Sequence, residues 1–229
     1  MMARGPGIGA GVAVFAAVLA GCGLSREVAG PAPAGTAQVS GTVARTGVAL
    51  PGMKVKLYDD LEQLLADSTL TDGAGAYGFN GVGPGHWLVK VASPLDSDLG
   101  YVRFFFDVAS AGQTVVIPPF DVDKRGFDLV APADSDRLPR PSFSSPMSFQ
   151  WTAYQDTSLW SSARLDDSLG VLAWAGPQGS QVQAGWNGLG NQGPYAGAPV
   201  PAGRYTWRVK LRLPNSVQAA SRVRTLVLE

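Results

Sequence analysis

The stretch GRYTWRVKLRL, residues 203–213, alternates without a break. Tyr205, Trp207, Val209, Leu211 and Leu213 fall on one side; Arg204, Thr206, Arg208, Lys210 and Arg212 fall on the other. Successive side chains of a strand point to opposite faces, so this pattern predicts a β-strand with a dry face and a wet, basic one. The same period recurs around it. MSFQW (147–151) puts Met147, Phe149 and Trp151 on one face, and GVLAW (170–174), QVQAGW (181–186) and SRVRTLVLE (221–229) read as further strands. Toward the N-terminus come VSGTV (39–43), GMKVKLY (52–58), LADSTLT (65–71), AYGF (76–79), HWLVKV (86–91) and GQTVVI (112–117). Met53, Val55 and Leu57 oppose Lys54 and Lys56; Tyr77 and Phe79 share a face; Trp87, Val89 and Val91 point inward. DGAG (72–75) and GVGPG (81–85) are turns, because glycine tolerates positive φ.

Composition agrees. Gly (29) and Pro (17) make up about a fifth of 229 residues, against a background of roughly 12%. Many short strands separated by such turns predict an all-β chain. Eighteen cations balance eighteen anions, which argues against nucleic-acid binding, since phosphate neutralisation needs a cationic excess. One Cys and one His exclude an intrachain disulfide, a multi-cysteine metal site and a His-pair motif. No cofactor is expected.

Residues 1–21 have the parts of a secretory signal. Arg4 supplies the positive start, and Ile8 to Ala20 is an apolar run of thirteen residues. As a helix it spans about 20 Å, short of a hydrocarbon core of about 30 Å, so it reads as a processed signal and not an anchor. Leu19-Ala20-Gly21-Cys22 follows and resembles the lipobox of bacterial lipoproteins. That resemblance implies a diacylglyceryl group on the Cys22 sulfur, cleavage before Cys22, and acylation of the new amino group by a chain such as palmitate. Small residues at 20 and 21 admit a peptidase, and several acyl chains at about 0.8 kcal/mol per methylene anchor firmly. The alternative is an ordinary signal cut near Ala20 that leaves a free thiol. Gly23 stands where the family's inner-membrane retention signal has Asp, which implies an outer-membrane destination if the organism has one. Residues 22–38, rich in Pro, Gly and Ala, read as a flexible tether.

Two further resemblances concern the body of the chain. Gly41, Val43, Leu50-Pro51-Gly52, Thr71-Asp72-Gly73, Gly75, Tyr77, Phe79, Gly83-Pro84-Gly85 and Trp87 together resemble the carboxypeptidase-regulatory-like domain, a transthyretin-like sandwich that is non-catalytic. Beyond a Pro-, Ser- and Asp-rich stretch (122–146), FQW and PAGRYTWRVK resemble fibronectin-type-III-like or other Ig-like bacterial surface modules. The segment 185–207 is also similar to the Ig-like part of flagellar-hook capping proteins, with Asn187 in place of their Asp. The expectation is two tandem antiparallel β-sandwiches, 39–124 and 125–229. The role expected is lipid-anchored binding or scaffolding at the cell envelope without catalysis; the alternative is a carbohydrate-binding accessory module.

Candidate sites are few. His86 begins a strand and should point outward, and no Gly-x-Ser-x-Gly elbow occurs. GPGIGAG (5–11) lies inside the signal and cannot cradle phosphate. DSDLG (96–100), DDLE (59–62) and the pair Asp134 and Asp136 lack the ligand number of a calcium loop and read as solvated turns. Arg204, Arg208, Lys210 and Arg212 alternate outward on one strand, with Arg222 and Arg224 on the last; if those strands pair, six cations share a patch. Such a patch suits anionic headgroups, cell-wall carboxylates or an acidic partner; the plain alternative is a solubilising face that discourages edge pairing. In GWNGLGNQGPYAGAPVP (185–201), Trp186 and Tyr195 could stack a sugar ring while Asn187 hydrogen-bonds its hydroxyls; equally, Trp186 could plug the core.

Overall fold

The computed structural model describes residues 36–59, 64–154 and 159–229. The N-terminal half contributes β1 (Ala37–Arg45), β2 (Val48–Ala49), β3 (Lys54–Asp59), β4 (Leu65–Leu70), β5 (Ala76–Val82), β6 (Gly85–Val91), β7 (Tyr101–Val108), β8 (Thr114–Val116) and β9 (Phe120–Asp121). The C-terminal half contributes β10 (Leu129–Ala131), β11 (Asp136–Leu138), β12 (Met147–Trp151), β13 (Trp160–Asp167), β14 (Leu172–Ala175), β15 (Gln183–Trp186), β16 (Gly203–Arg212), β17 (Gln218–Ala220) and β18 (Arg224–Leu228). The chain is all-β: among the described residues the only helical turns are short 3₁₀ segments, and no helix is long and apolar enough to cross a membrane.

Both halves are two-layered. In the N-terminal half, β5, β1 and β8/β9 face the run β4-β3-β6-β7; in the C-terminal half, β10-β12-β15 faces β14, β13, β16 and β18. Pairings are antiparallel except β1–β8, β1–β9 and β11–β18, so the expectation of purely antiparallel sheets is corrected at three short edges. β1 also starts at Ala37, inside the stretch read as tether, because Ala37 pairs with Val82 and is buried.

The inner faces are those the alternation marks. Val55, Leu57, Tyr77, Phe79, Val89 and Val91 are buried on one side, and Tyr205, Trp207, Val209 and Leu211 on the other. Gly41 sits opposite Tyr77 in the β1–β5 register, and a Cβ there would lie 2.4 Å from the Tyr77 hydroxyl oxygen. The glycine therefore makes room for the ring. In the C-terminal half Phe149 is the hub: its ring centroid lies 5.2 Å from Trp174, 5.1 Å from Trp207 and 6.2 Å from Trp186.

One layer does not stop between the halves. The long sheet runs β11-β18-β16-β17-β7-β6-β3-β4, ten strands once β13 and β14 are included. The seam is the pairing of β17 with β7, where Gln218, Ala219 and Ala220 meet Arg103, Val102 and Tyr101. Just beyond it, the Gly100 N–H donates to the Ala220 carbonyl at 2.8 Å. Close by, the buried Asp98 carboxylate accepts from Arg45 Nε at 2.8 Å and Nη2 at 2.6 Å, and from the Ser93 and Ser97 hydroxyls.

Candidate functional site

The outer face of the long sheet carries the residues that alternate away from the core. In an antiparallel pair, directly opposed residues lie on the same face, so the register can be followed across strands. Lys56 opposes Lys90, Lys90 opposes Arg103, Arg103 opposes Gln218, Gln218 opposes Arg212, and Arg212 opposes Trp160. A basic row thus crosses the seam from β3 to β16. One step along the strands, Lys210 opposes Ser162 on one side and Ala220 on the other. Both neighbours are small and buried, so no long side chain stands directly opposite Lys210. One step further, Arg208 opposes Arg164 directly.

The electrostatics are lopsided. Asp166, itself buried, commits one oxygen to Arg164 Nε at 2.7 Å and the other to Arg208 Nη2 at 3.1 Å. Among the described residues Lys210 has no ion pair of its own. Burial, followed by repulsion from Arg164, Arg103 and Arg208, pushes its ammonium pKa down to about 8. Aromatic rings interleave the charges: Lys90 Nζ lies 4.7 Å from the Tyr101 ring centroid, and the Arg103 guanidinium 4.9 Å from that of Phe105, a residue 41% exposed.

The six expected cations are only partly gathered. Arg204, Arg208, Lys210 and Arg212 share this face. Arg224 does not: it opposes the buried Trp207, on the inner side of β18, and donates to the Val130 and Pro132 carbonyls. Arg222 is not on the strand. It lies in the 221–223 connection, donates to the Ser93 and Leu95 carbonyls and meets Asp96 at 3.4 Å. The two are replaced by Lys56, Lys90, Arg103 and Arg164. The outward direction of Lys56 was legible, but nothing in the sequence says that β3, β6, β7 and β16 lie in one sheet.

The loop reading is corrected as well. Trp186 is 1% exposed, packs on Phe149 and Trp174, and donates its indole N–H to the Leu189 carbonyl at 2.8 Å. Its face cannot stack a sugar. The Asn187 side chain accepts from the Leu189 N–H at 3.2 Å, closing the turn. Tyr195 donates to Asp167 at 2.7 Å, and that bond pushes its own pKa up to about 12. The three residues brace the loop.

Other candidates resolve into structure. His86 is exposed on the outer face and hydrogen-bonds Asp107 through Nδ1. Asp96 is solvated as expected, but Asp98 is not: its side chain is fully buried against Arg45. Asp134 and Asp136 accept from the Thr225 and Ala133 N–H groups. At the junction a cleft of about 300 Å³ is lined by Asp96, Asp98, Lys124, Asp128, Arg222 and Arg224. Its polar groups are committed to one another or to backbone carbonyls. Among the described residues no group of three could hold a metal ion. Cys22 and the lipobox residues Leu19, Ala20 and Gly21 lie outside the described residues.

Comparisons with protein-family models and with curated proteins return no match. Among solved structures, the fibronectin(III)-like modules of Clostridium thermocellum CbhA are 16% identical, covering 85% of this chain and 88% of theirs, at a TM-score of 0.30. A DUF3823 family protein from Bacteroides uniformis is 12% identical, with 86% of this chain and all of its own covered, at 0.32. BcpA, the major pilin subunit of Bacillus cereus, is 10% identical over 84% of this chain and 69% of its own, also at 0.32. Likeness this slight assigns no family, and the all-β architecture rests on the strand pairings above.

Proposed function

We propose that this chain is a lipid-anchored protein of the bacterial cell envelope that binds or scaffolds and does not catalyse. The observation that carries the binding role is the basic outer face, which continues from the 39–124 half into the 125–229 half without a break in the sheet. The anchor rests on the sequence Leu19-Ala20-Gly21-Cys22 at the end of the apolar run, followed by a tether-like stretch. On this reading the lipid holds the protein at a membrane and the sheet presents a fixed array of charge above it. Mass spectrometry of the N-terminal peptide from full-length protein made in a bacterial host tests it. Cys22 should appear as the first residue carrying acyl chains, and Cys22→Ser should abolish both cleavage and membrane fractionation. An N-terminus elsewhere with an unmodified thiol overturns the anchor.

The accessory carbohydrate-binding reading keeps one supporting observation. Aromatic rings and cations alternate on the same outer face, although the loop first considered for it is closed by the burial of Trp186.

A further inference from the structure

We propose that the loop 92–100 is an acid-released latch between the two halves of the chain: a proton on Asp98 unmakes the socket that holds Arg222 and so frees the seam. The loop belongs to the N-terminal half and Arg222 to the C-terminal half. Arg222 Nη2 donates to the Ser93 carbonyl at 3.0 Å, and Nε at 3.1 Å, together with Nη2, to the Leu95 carbonyl. Among the described residues no ion pair joins Asp98 to Arg222, yet Asp98 sets both acceptors. Its carboxylate accepts from the Ser93 hydroxyl, whose oxygen accepts in turn from the Leu95 N–H at 3.2 Å. Its own N–H donates to the Leu95 carbonyl at 3.1 Å. The backbone that Arg222 grips is therefore held from both sides by one buried acid.

The socket needs the anion. The two oxygens of Asp98 take four donors: Arg45 Nε and Nη2, Ser97 Oγ at 3.2 Å, and Ser93 Oγ. A neutral carboxyl carries an O–H of its own, so a donor must leave. Arg45 has somewhere to turn, because Asp121 and Asp123 also attract its guanidinium. The other charges around Asp98 are those that line the cleft, Asp96, Lys124, Asp128, Asp134, Arg222 and Arg224. Lys124 and Asp128 pair with each other, Asp134 accepts from the Thr225 N–H, and the Asp96 side chain is 97% exposed. No second carboxylate takes over the Ser93 hydroxyl. What Arg222 holds is short: it lies between β17 and β18, and β17 has three residues against ten for β16. Each half keeps its own core, around Tyr77 and Phe120 in one and Phe149 in the other, so the halves can part without unfolding. Burial raises the Asp98 carboxyl, and the bonds from Arg45 and Ser93 outweigh it and hold the value low. The latch is thus shut above a pH of about 4 and opens as the pH falls through the depressed value.

The test is hydrogen exchange of the full chain in neutral detergent micelles, read by peptide as protection factors from pH 6 down to pH 2. In the wild type, 218–220 should lose protection on acidification before β1 and β16 do. Asp98→Asn imitates the protonated acid and should lower the protection of 218–220 at pH 6 on the order of ten- to hundredfold, the worth of a hydrogen bond to a charged group. Arg222→Gln opens the latch from the other side and leaves the buried acid in place, so it tests the coupling even where Asp98→Asn does not fold. It should lower protection at 218–220 by a similar factor at pH 6 and abolish the early loss in acid. Wild-type protection of 218–220 in Arg222→Gln overturns the latch. So does a wild type in which 218–220 opens only together with β1 and β16, since that is unfolding of the whole chain, or one in which 218–220 stays protected to pH 2.

Discussion

Gly100→Ala should force the two halves apart. A Cβ on Gly100 would lie 2.5 Å from the Ser221 carbonyl oxygen, 2.9 Å from its carbon and 3.1 Å from Arg222 Cα, all of them backbone atoms. Even close carbon–oxygen contacts sit at about 3.3 Å or more, so the overlap approaches 1 Å and no side chain can swing away to relieve it. The backbones must separate, which strains the Gly100–Ala220 hydrogen bond and the adjoining Ala220–Tyr101 register. Overpacking costs about 1–3 kcal/mol and a weakened hydrogen bond about 0.5–1.5 more. The unfolded-state entropy removed with a glycine returns about 0.4–1 kcal/mol. The net loss is about 1–4 kcal/mol, and at about 2–4 °C per kcal/mol the melting temperature falls by several degrees. Gly73→Ala is the control: a Cβ there meets nothing within 4 Å, so it should leave stability unchanged or raise it slightly. Thermal melts followed by far-UV circular dichroism measure both. A Gly100→Ala protein that melts with the wild type and with Gly73→Ala would show that Ser221 and Arg222 do not press on this position, and the seam as described would be wrong.

Three further outcomes follow from named contacts. Burial alone would raise the Asp98 carboxyl, but hydrogen bonds from Arg45 and Ser93 hold it below its ordinary value. The stability it supplies is present above pH of about 4 and lost as the pH falls through the depressed folded value. Asp98→Asn should cost about 3–5 kcal/mol at pH 7 and flatten the acid limb of urea midpoints measured from pH 2 to 7. Lys210 titrates near 8 in the folded chain against an ordinary 10.5, so between those values the unfolded state holds the extra proton and stability rises with pH. Lys210→Met should be more stable than wild type at pH 7 and lose that advantage by pH 10, as read from urea midpoints. Trp186→Ala should cost about 3–5 kcal/mol as a core truncation, with near-UV circular dichroism altered through Phe149 and Trp174; an unperturbed fold would mean the indole is not packed where it is described.

The dry faces were legible and the seam was not. β16 and β3 keep a strict period of two because one side meets the core and the other water, and β6 departs from it only at Leu88, which is buried on the outer side. β7 escaped notice because Val102, Phe104 and Phe106 lie on one face while Tyr101 and Phe105 lie on the other, which blurs the alternation. β13 was hidden for the opposite reason. Ser161 on its inner face looks polar, yet its hydroxyl accepts from the Trp151 indole at 3.2 Å and donates to the Gln181 carbonyl at 2.9 Å. β17 is three residues long, too short for any period to show. These are the strands that join the halves and flank Lys210, so the basic row could be read strand by strand but not assembled. Arg222 and Arg224 were misplaced because SRVRTLVL alternates through its first residues, although pairing with β16 begins only at Arg224. The turn glycines were readable without the fold, since their meaning is local: Gly75, Gly81 and Gly85 all take positive φ.

The continuous outer face depends on one sheet passing from the first half into the second through β7 and β17. Amide hydrogen exchange of the full chain, resolved by peptide, measures this directly. The amides of 101–103 and 218–220 should be protected together, to a degree comparable with their neighbours in β6 and β16. If 218–220 exchanges as fast as an open loop while β16 stays protected, the halves are separate bodies and the continuous basic face does not exist.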